Sequence, residues 1–322
     1  MQAPTLKVRV DVLRDEAHGV RSFSVSRIDG LQFDRYEPGA HVDVQSPSGV
    51  IRQYSLCGDP ENLKSQLFAV KKEDASRGGS RSLHEEVRVG TELSIGAPRN
   101  LFTLDDRATK HILVGAGIGI TPLISMAHRL VATDSLFDLH YFARSEEHAA
   151  FLDLLTRDPF APHVKLHFGV EPENLVATLD LCLRDAIDEA HVYTCGPSPF
   201  MESVVAVSRT RIPEEAIHLE RFKAEPPTPP GTTVDRFDIK IASSGRIVQV
   251  ASNSSIIDAL ASIGIEVDTS CGQGVCGTCM VKVLDGQPDH RDFCLSQTER
   301  ASNAVICCCV SRSRSPLLVL DL

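Results

Sequence analysis

At 322 residues the chain is too long for one ordinary domain, and at roughly 100–200 residues per domain two or three are expected. A hydrophobic fraction of 42% and a charged fraction of 24% describe a folded globular protein and exclude wholesale disorder. A net charge of −10 speaks against general nucleic-acid binding, no apolar run approaches the ~18 residues of a membrane helix, and the alternating start MQAPTLKVRV lacks the apolar stretch of a secretory signal, so the expected compartment is the cytoplasm, with neither nucleic acid nor membrane as partner.

Residues 1–107 read as short strands. LKVRVDVLRD, RSFSVSRI, HVDVQSP, RQYSL, QLFAVKKE and TELSIGAP alternate or are rich in β-formers, with Gly, Pro, Asp and Ser between them. With one helix expected from Arg81 to Val89, this predicts a small antiparallel β-barrel. Residues 108–222 change rhythm. HILVGAG, DLHYFAR, KLHFGV and AHVYTCG read as strands, while TPLISMAHRLVA and PFMESVVAVSRT have helical length. Alternating β and α predicts an α/β domain with a parallel sheet. Residues 223–235 hold four prolines and a glycine within six positions and read as a semi-rigid linker. Residues 236–322 open with a hairpin, FDIKIA and RIVQVA around Ser243-Ser244-Gly245. SIIDALASIGI then reads as a helix, and MVKVL and LLVLDL as strands. A small α+β sheet crossed by one helix is expected. This last segment carries 8 Lys+Arg and 9 Asp+Glu, so nearly all the negative charge lies in residues 1–235.

Seven of the ten cysteines lie from Cys271 to Cys309. In a reducing compartment such clustering points to metal rather than disulfides. Cys271, Cys276 and Cys279 have the spacing C-x4-C-x2-C of plant-type [2Fe–2S] loops. Three thiolates must converge from one tight loop, and Gly272, Gly274 and Gly277 allow the left-handed turns this needs. A zinc site normally uses two C-x2-C knuckles, and only one is present. Spacing alone leaves the fourth ligand open among Cys307, Cys308 and Cys309. Cys57, Cys182, Cys195 and Cys294 are expected to be unligated, small buried residues.

Gly115-Ala-Gly117-Ile-Gly119 follows a strand and precedes a helix, where backbone amides can take a pyrophosphate. It is not G-x-G-x-x-G, and the acidic residue expected ~20 positions on is missing, since Asp138 sits at the wrong end of its strand. Thr194-Cys195-Gly196-Pro197 forms another strand-end turn of the same sheet. Arg144, closing the next strand, is a candidate for the adenosine end of a dinucleotide; a solvated surface arginine is the other reading. Glu146 and Glu147 would repel a 2′-phosphate and lean toward NADH. On the barrel, Arg52-Gln53-Tyr54-Ser55 offers an arginine for a phosphate and a tyrosine for an isoalloxazine or ribityl chain. Arg77-Gly78-Gly79-Ser80-Arg81-Ser82, at a helix start, suits a terminal phosphate.

Taken together and in this order, Arg-x-Tyr-Ser, Gly-Gly-Ser, Gly-x-Gly-x-Gly-Ile-Thr-Pro, Cys-Gly-Pro and C-x4-C-x2-C…C resemble the phthalate dioxygenase reductase family. That family includes the vanillate O-demethylase reductases and belongs with the ferredoxin–NADP reductase superfamily. Asp289-His290-Arg291-Asp292 and Val310-Ser311-Arg312 strengthen the resemblance, which spans essentially the whole chain. It implies an FMN-binding barrel, an NAD-binding α/β domain and a β-grasp ferredoxin domain. It also implies FMN rather than FAD, held by Arg52, Tyr54, Ser55 and the Arg77–Ser82 loop, with Val70 and Lys71 on the strand passing the ring. Thr121 and Pro122 match the segment near flavin and nicotinamide, and Phe222 matches the aromatic residue that covers the flavin; interdomain packing is the other reading of Phe222. The last cluster cysteine directly precedes Val-Ser-Arg in the family, which picks Cys309.

The implied activity is oxidoreduction, with electrons running from NADH to FMN to the [2Fe–2S] cluster and on to the Rieske-type terminal oxygenase of a two-component aromatic-ring oxygenase or O-demethylase. A flavin can accept an electron pair and release it singly, and no acid–base triad is needed because the hydride moves directly. The alternatives are a reductase serving another acceptor, such as a monooxygenase, and a zinc-stabilised regulatory protein that senses nucleotide.

Overall fold

Strand alternation decides the first architecture. In β1 (Leu6–Ala17), Val8 and Val10 are fully buried while Lys7 and Arg9 face out. It is followed by β2 (Val20–Arg27), β3 (His41–Gln45), β4 (Ile51–Ser55), β5 (Gln66–Lys71), helix α1 (Gly79–Glu86) and β6 (Glu92–Ile95). The computed structural model describes residues 6–73, 78–186, 189–223 and 236–322. Arg77 and, Lys223 excepted, the proline-rich linker expected over 223–235 lie outside the described residues.

The six strands pair antiparallel in the order β4-β3-β6-β1-β2-β5. An antiparallel bridge between Leu56 and Phe68, with the Cys57 N–H donating to the Leu67 carbonyl (2.8 Å), joins the two ends into a barrel. Phe23 and Phe68 stack inside it, ring centroids 5.2 Å apart, among Val8, Val10, Val42 and Leu83. Each such buried side chain contributes about 1.5–3 kcal/mol. Helix α1 is displaced from the expected Arg81–Val89. It begins at Gly79 because Gly78, at φ +105°, turns the chain into it, and it ends at Glu86 because Val87 goes extended and drops into the barrel core.

The α/β part contains β7 (Lys110–Ala116), α2 (Ile120–Ala132), β8 (Phe137–Ala143), the short α3 (Leu152–Leu155), β9 (Val164–Phe168), α4 (Pro172–Cys182), β10 (Ala190–Cys195), α5 (Ser198–Ser208) and β11 (Ile217–Glu220). All five strands are parallel, in the order β11-β10-β7-β8-β9. The order reverses between β7 and β10, which opens a crevice at the carboxyl ends of those two strands. One sheet face packs α2, through Leu123 and Met126, in a core shared with Val20, Ala69 and Phe102 of the barrel side. The other face packs α4 and α5 through Leu179, Phe200 and Val204. The Gly39 N–H donates to Ser125 Oγ (2.9 Å), tying the barrel to α2. Barrel and parallel sheet thus form one compact unit ending at Glu220.

A second compact unit runs from Arg221 to Leu322. It comprises β12 (Phe237–Ile241), β13 (Ile247–Val250), α6 (Ile256–Ser262), β14 (Met280–Asp285), β15 (Pro288–Asp289), α7 (Gln297–Ser302), β16 (Val305–Cys307), β17 (Arg312–Ser313) and β18 (Leu317–Leu320). The mixed sheet has the order β13-β12-β18-β14-β16 and buries Ile256 and Leu260 of α6, the β-grasp arrangement expected. Helix α6 starts at a capping box in which Ser255 Oγ accepts from the Asp258 N–H (3.1 Å). The second helix, α7, was not expected. Its own capping box, Ser296 with Glu299, is the Ser-x-x-Glu signature written in the sequence. Among the described residues no helix is long and apolar enough to cross a membrane.

Candidate cofactor and electron-transfer site

The cysteine loop lies between α6 and β14. Gly272, Gly274 and Gly277 take φ of +64°, +72° and +66°, so the chain doubles back repeatedly and gathers sulfur atoms. At Gly274 the need is also steric: a Cβ there would lie 2.9 Å from the Asp292 Cα. Hydrogen bonds from Cys276 and then Cys309 hold the Cys271 thiol well below its ordinary value, and Cys307 and then Cys309 draw Cys279 down as well. Cys309 is therefore in reach of both Cys271 and Cys279. Cys307 and Cys308 are both fully buried, and Cys307 lies between Cys279 and Cys294, its Sγ 3.1 Å from that of Cys294. Cys294, expected to be a buried residue, is half-buried and lies against Cys307. The Gln273 N–H lies 3.3 Å from Cys271 Sγ, and the Thr278 hydroxyl 3.1 Å from Cys276 Sγ. Four converging thiols with donors aimed at their sulfurs fit an iron–sulfur cluster.

The family-like endings lock this loop in place. Asp289 of β15 pairs with Arg312 of β17, and Ser311 Oγ lies 3.3 Å from Asp292 Oδ1. Arg312 donates to the Ser254 and Ala251 carbonyls (3.0 and 3.1 Å) and lies over the Phe237 ring. The segment that follows Cys309 is anchored to the start of α6.

In the first unit, three barrel segments that are distant in sequence meet. A Cβ on Gly79 would lie 3.1 Å from Val50 and 3.4 Å from the Arg52 Cγ, so the start of α1 rests directly on β4. Ser82 Oγ accepts from the Ser48 N–H (3.0 Å) and Ser80 Oγ from the Glu73 N–H (3.2 Å). Arg52, Gly78, Gly79, Ser80 and Ser82 therefore share one corner with a helix N-terminus, a setting that fits a phosphate. Tyr54 is half-buried and stacks on Phe68 at 5.8 Å; burial pushes its hydroxyl up to about 12. Ser55 Oγ lies 3.5 Å from Glu220 Oε2, and His41 Nδ1 lies 3.7 Å from Glu220 Oε1. Sequence reasoning missed Glu220, because the alternation of β11 stops after four residues with no β-rich flank to extend it. Val70 lies on β5, its carbonyl 2.8 Å from His84 Nε2, and Lys71 is exposed at the strand's end.

The two strand-end turns interlock at the crevice. A Cβ on Gly119 would sit 2.2 Å from the Cys195 carbonyl oxygen, and one on Gly196 would sit 3.0 Å from the Ala116 Cβ. Gly115 is similarly tight against Leu123, at 2.9 Å. Gly117, at φ +56°, faces open space, with nothing within 4 Å of its added Cβ. The turn Gly117–Gly119 leads into α2 and lies against β5 of the barrel. Thr121 is buried and its hydroxyl donates to the Ile118 carbonyl (2.9 Å), holding that turn; Pro122 occupies the first turn of α2, and Pro197 precedes α5. This arrangement fits a dinucleotide at the topological switch point. Asp138 lies at the amino end of β8, paired with Lys110 (2.7 Å) and Lys165 (3.0 Å), remote from that crevice end. Arg144 is exposed at the carboxyl end of β8. Phe222 is 40% exposed and belongs to the second unit.

A barrel joined to a switch-point parallel sheet, followed by a ferredoxin-type domain, defines an electron-transfer reductase. Residues 239–314 match the 2Fe-2S iron-sulfur cluster binding domain family. The chain is 40% identical over 320 residues to a vanillate O-demethylase oxidoreductase of Pseudomonas sp. (strain HR199 / DSM 7063), covering 98% of this chain and 100% of that one. It is 42% identical over 310 residues to that of Pseudomonas putida, covering 96% and 97%. The solved phthalate dioxygenase reductase superposes with a TM-score of 0.70 at 34% identity, over 99% of this chain and 98% of that one. A type IV self-sufficient cytochrome P450 monooxygenase superposes at 0.88 and 34% identity over 99% of this chain, which spans 41% of that longer one. The chain belongs to the phthalate dioxygenase reductase and vanillate O-demethylase oxidoreductase family, the electron-transfer reductase components of oxygenase systems.

Proposed function

We propose that this chain takes the electron pair of NADH onto FMN in the barrel and delivers single electrons through its [2Fe–2S] cluster to a Rieske-type terminal oxygenase. The observation that carries this reading is the gathering of Cys271, Cys276, Cys279 and Cys309 in one unit, in a chain whose other unit holds both a phosphate corner and a switch-point crevice. FMN supplies the conversion between paired and single electrons. Arg52, Gly78, Gly79, Ser80 and Ser82, with Arg77, hold its phosphate, while Tyr54, Ser55, Val70 and Lys71 line the ring and ribityl chain. Gly115, Gly117, Gly119, Thr121, Pro122, Cys195, Gly196 and Pro197 form the dinucleotide crevice. Arg144 takes the adenosine end, and Glu146 and Glu147 beside it favour NADH over its phosphorylated form. Residues 1–107, 108–222 and 236–322 are the three working domains. None of the ten cysteines is in a disulfide, which suits a cytoplasmic setting.

The chain's work is orientation: two turns locked by contact, an arginine braced against a helix start, and four thiols gathered from one loop and the segment after β16. Plant-type clusters lie near roughly −400 mV and Rieske centres at about −150 to +300 mV, so transfer to such a partner is downhill. Brief docking then suffices. A monooxygenase acceptor is the second reading. It is favoured by 39% identity over 98% of this chain to the reductase subunit of a tert-butanol monooxygenase / tert-amyl alcohol desaturase of Aquincola tertiaricarbonis. Replacing Cys276 with Ser tests the electron path. NADH-driven reduction of cytochrome c should be lost and ferricyanide reduction retained; survival of both activities would contradict it.

A further inference from the structure

We propose a second metal site, apart from the iron–sulfur loop, in which His140, His167 and Cys182 together bind one zinc ion. His140 on β8 and His167 on β9 point to the sheet face that α4 covers, and Cys182 is the last residue of α4. None of the three takes part in the electron path proposed above.

The spacing is that of a ligand set. His140 Nδ1 and His167 Nε2 are 3.1 Å apart, His167 Nε2 and Cys182 Sγ are 3.6 Å apart, and the three atoms lie within 4.8 Å of one another. A tetrahedral zinc with Zn–N of about 2.0–2.1 Å and Zn–S of about 2.3 Å puts two nitrogens about 3.4 Å apart and a nitrogen and a sulfur about 3.6 Å apart. Small side-chain adjustments would therefore admit the ion.

Hydrogen bonds alone leave the cluster frustrated. The His167 Nε2 atom offers one in-plane position, either a lone pair or a hydrogen, yet two partners face it. If His140 Nδ1–H donates into it, the Cys182 S–H has no acceptor there. If the Cys182 S–H donates instead, the His140 nitrogen gains nothing. A cation accepts all three lone pairs at once, with the thiol proton released to water.

The ligands are held ready. The Phe142 ring stacks on His167 at 4.3 Å and 14°, while His140 and Cys182 are 2% and 8% exposed. His167 is half-buried on β9, the edge strand, which gives an entry path, and a water would be the fourth ligand. Lys165 stands nearby, but its Nζ is engaged by Asp138 at 3.0 Å, and Asp138 also takes Lys110. Two imidazoles and a thiolate select a borderline ion such as zinc over magnesium or calcium. Bound there, zinc would clip the end of α4 to the edge of the parallel sheet.

The test uses the full-length protein with flavin and cluster in place. It is incubated with zinc sulfate, passed over a chelating resin, and analysed for zinc and iron together. The expected result is about one zinc per chain with iron unchanged, and a zinc-dependent rise in melting temperature. Cys182→Ala and His167→Asn should each lower retained zinc by about tenfold while iron and flavin stay at wild-type content. His167 is half-exposed, so its variant serves if Cys182→Ala does not fold. Zinc below about a tenth of an equivalent in the wild type, or zinc retained by the variants, overturns the proposal.

Discussion

Gly119 and Cys195 meet at the mouth of the parallel sheet so closely that a methyl group on Gly119 would stand 2.2 Å from the Cys195 carbonyl oxygen and 2.7 Å from the Gly196 nitrogen. Both obstacles are backbone, so neither can swing away. Gly119→Ala should therefore cost about 3 kcal/mol, the upper part of the range for overpacking. Gly117→Ala meets no atom within 4 Å and should cost only the about 1–2 kcal/mol of a left-handed alanine. Its methyl group would enter the space proposed for the dinucleotide, so the KM for NADH should rise about tenfold with flavin content unchanged. Urea unfolding followed by far-UV circular dichroism separates the two variants, since the chain has no tryptophan to report.

Cys309 reaches both Cys271 and Cys279, whereas Cys307 reaches Cys279 and Cys294 but not Cys271 among its main partners. Cys309→Ser should lower iron content by at least about half and remove the visible iron–sulfur bands. Cys308→Ser should keep the full iron content and lose about 1–2 kcal/mol of stability from a buried hydroxyl. Equal iron in the Cys309→Ser and wild-type proteins would remove Cys309 from the ligand set.

Arg52 lies against Gly79 at the start of α1. Exchanging it for Ala removes a charge-assisted bond to the proposed phosphate and should weaken FMN retention by about tenfold or more, consistent with the 1.5–3 kcal/mol of such bonds. Flavin released during gel filtration gives the readout. The same flavin content in variant and wild type would take Arg52 out of the site.

The sequence makes the architecture legible where patterns are long. Val8 and Val10 alternate with charged neighbours, and Leu123, Met126 and Leu130 of α2 recur at helical spacing. The short elements escape. In β11 the alternation Ile217-His218-Leu219-Glu220 stops after four residues, and with it went Glu220, which approaches both Ser55 and His41. The capping box of α7 is visible in the sequence, but six residues carry no helical period. The glycines at 79, 119 and 196 are readable as turn residues; that they are demanded by contacts across segments is a tertiary fact.

His218 is stacked on Tyr193 at 4.5 Å, with its Nε2 2.9 Å from His191 Nδ1; Asp105, His111 and Arg107 are the other titratable groups around it. Burial first and His191 second hold its imidazole down to about 4. An unfolded histidine takes its proton near pH 6.5, so the unfolded chain binds more protons as pH falls below that value. Stability is present above pH 6.5 and is lost as pH falls toward 4, by about 2 kcal/mol at pH 4.5. His218→Phe keeps the stack and should flatten this part of the pH profile of urea midpoints. An unchanged slope would show that His218 is not its source.

The most direct test of the electron path is an anaerobic titration of the purified chain with NADH, followed by visible absorbance and joined to flavin, iron and sulfide analysis. The account predicts about one flavin and about two irons with two sulfides per chain, with both chromophores bleaching as NADH is added. A chain without iron and sulfide, or one whose spectrum is unchanged by NADH, would contradict it.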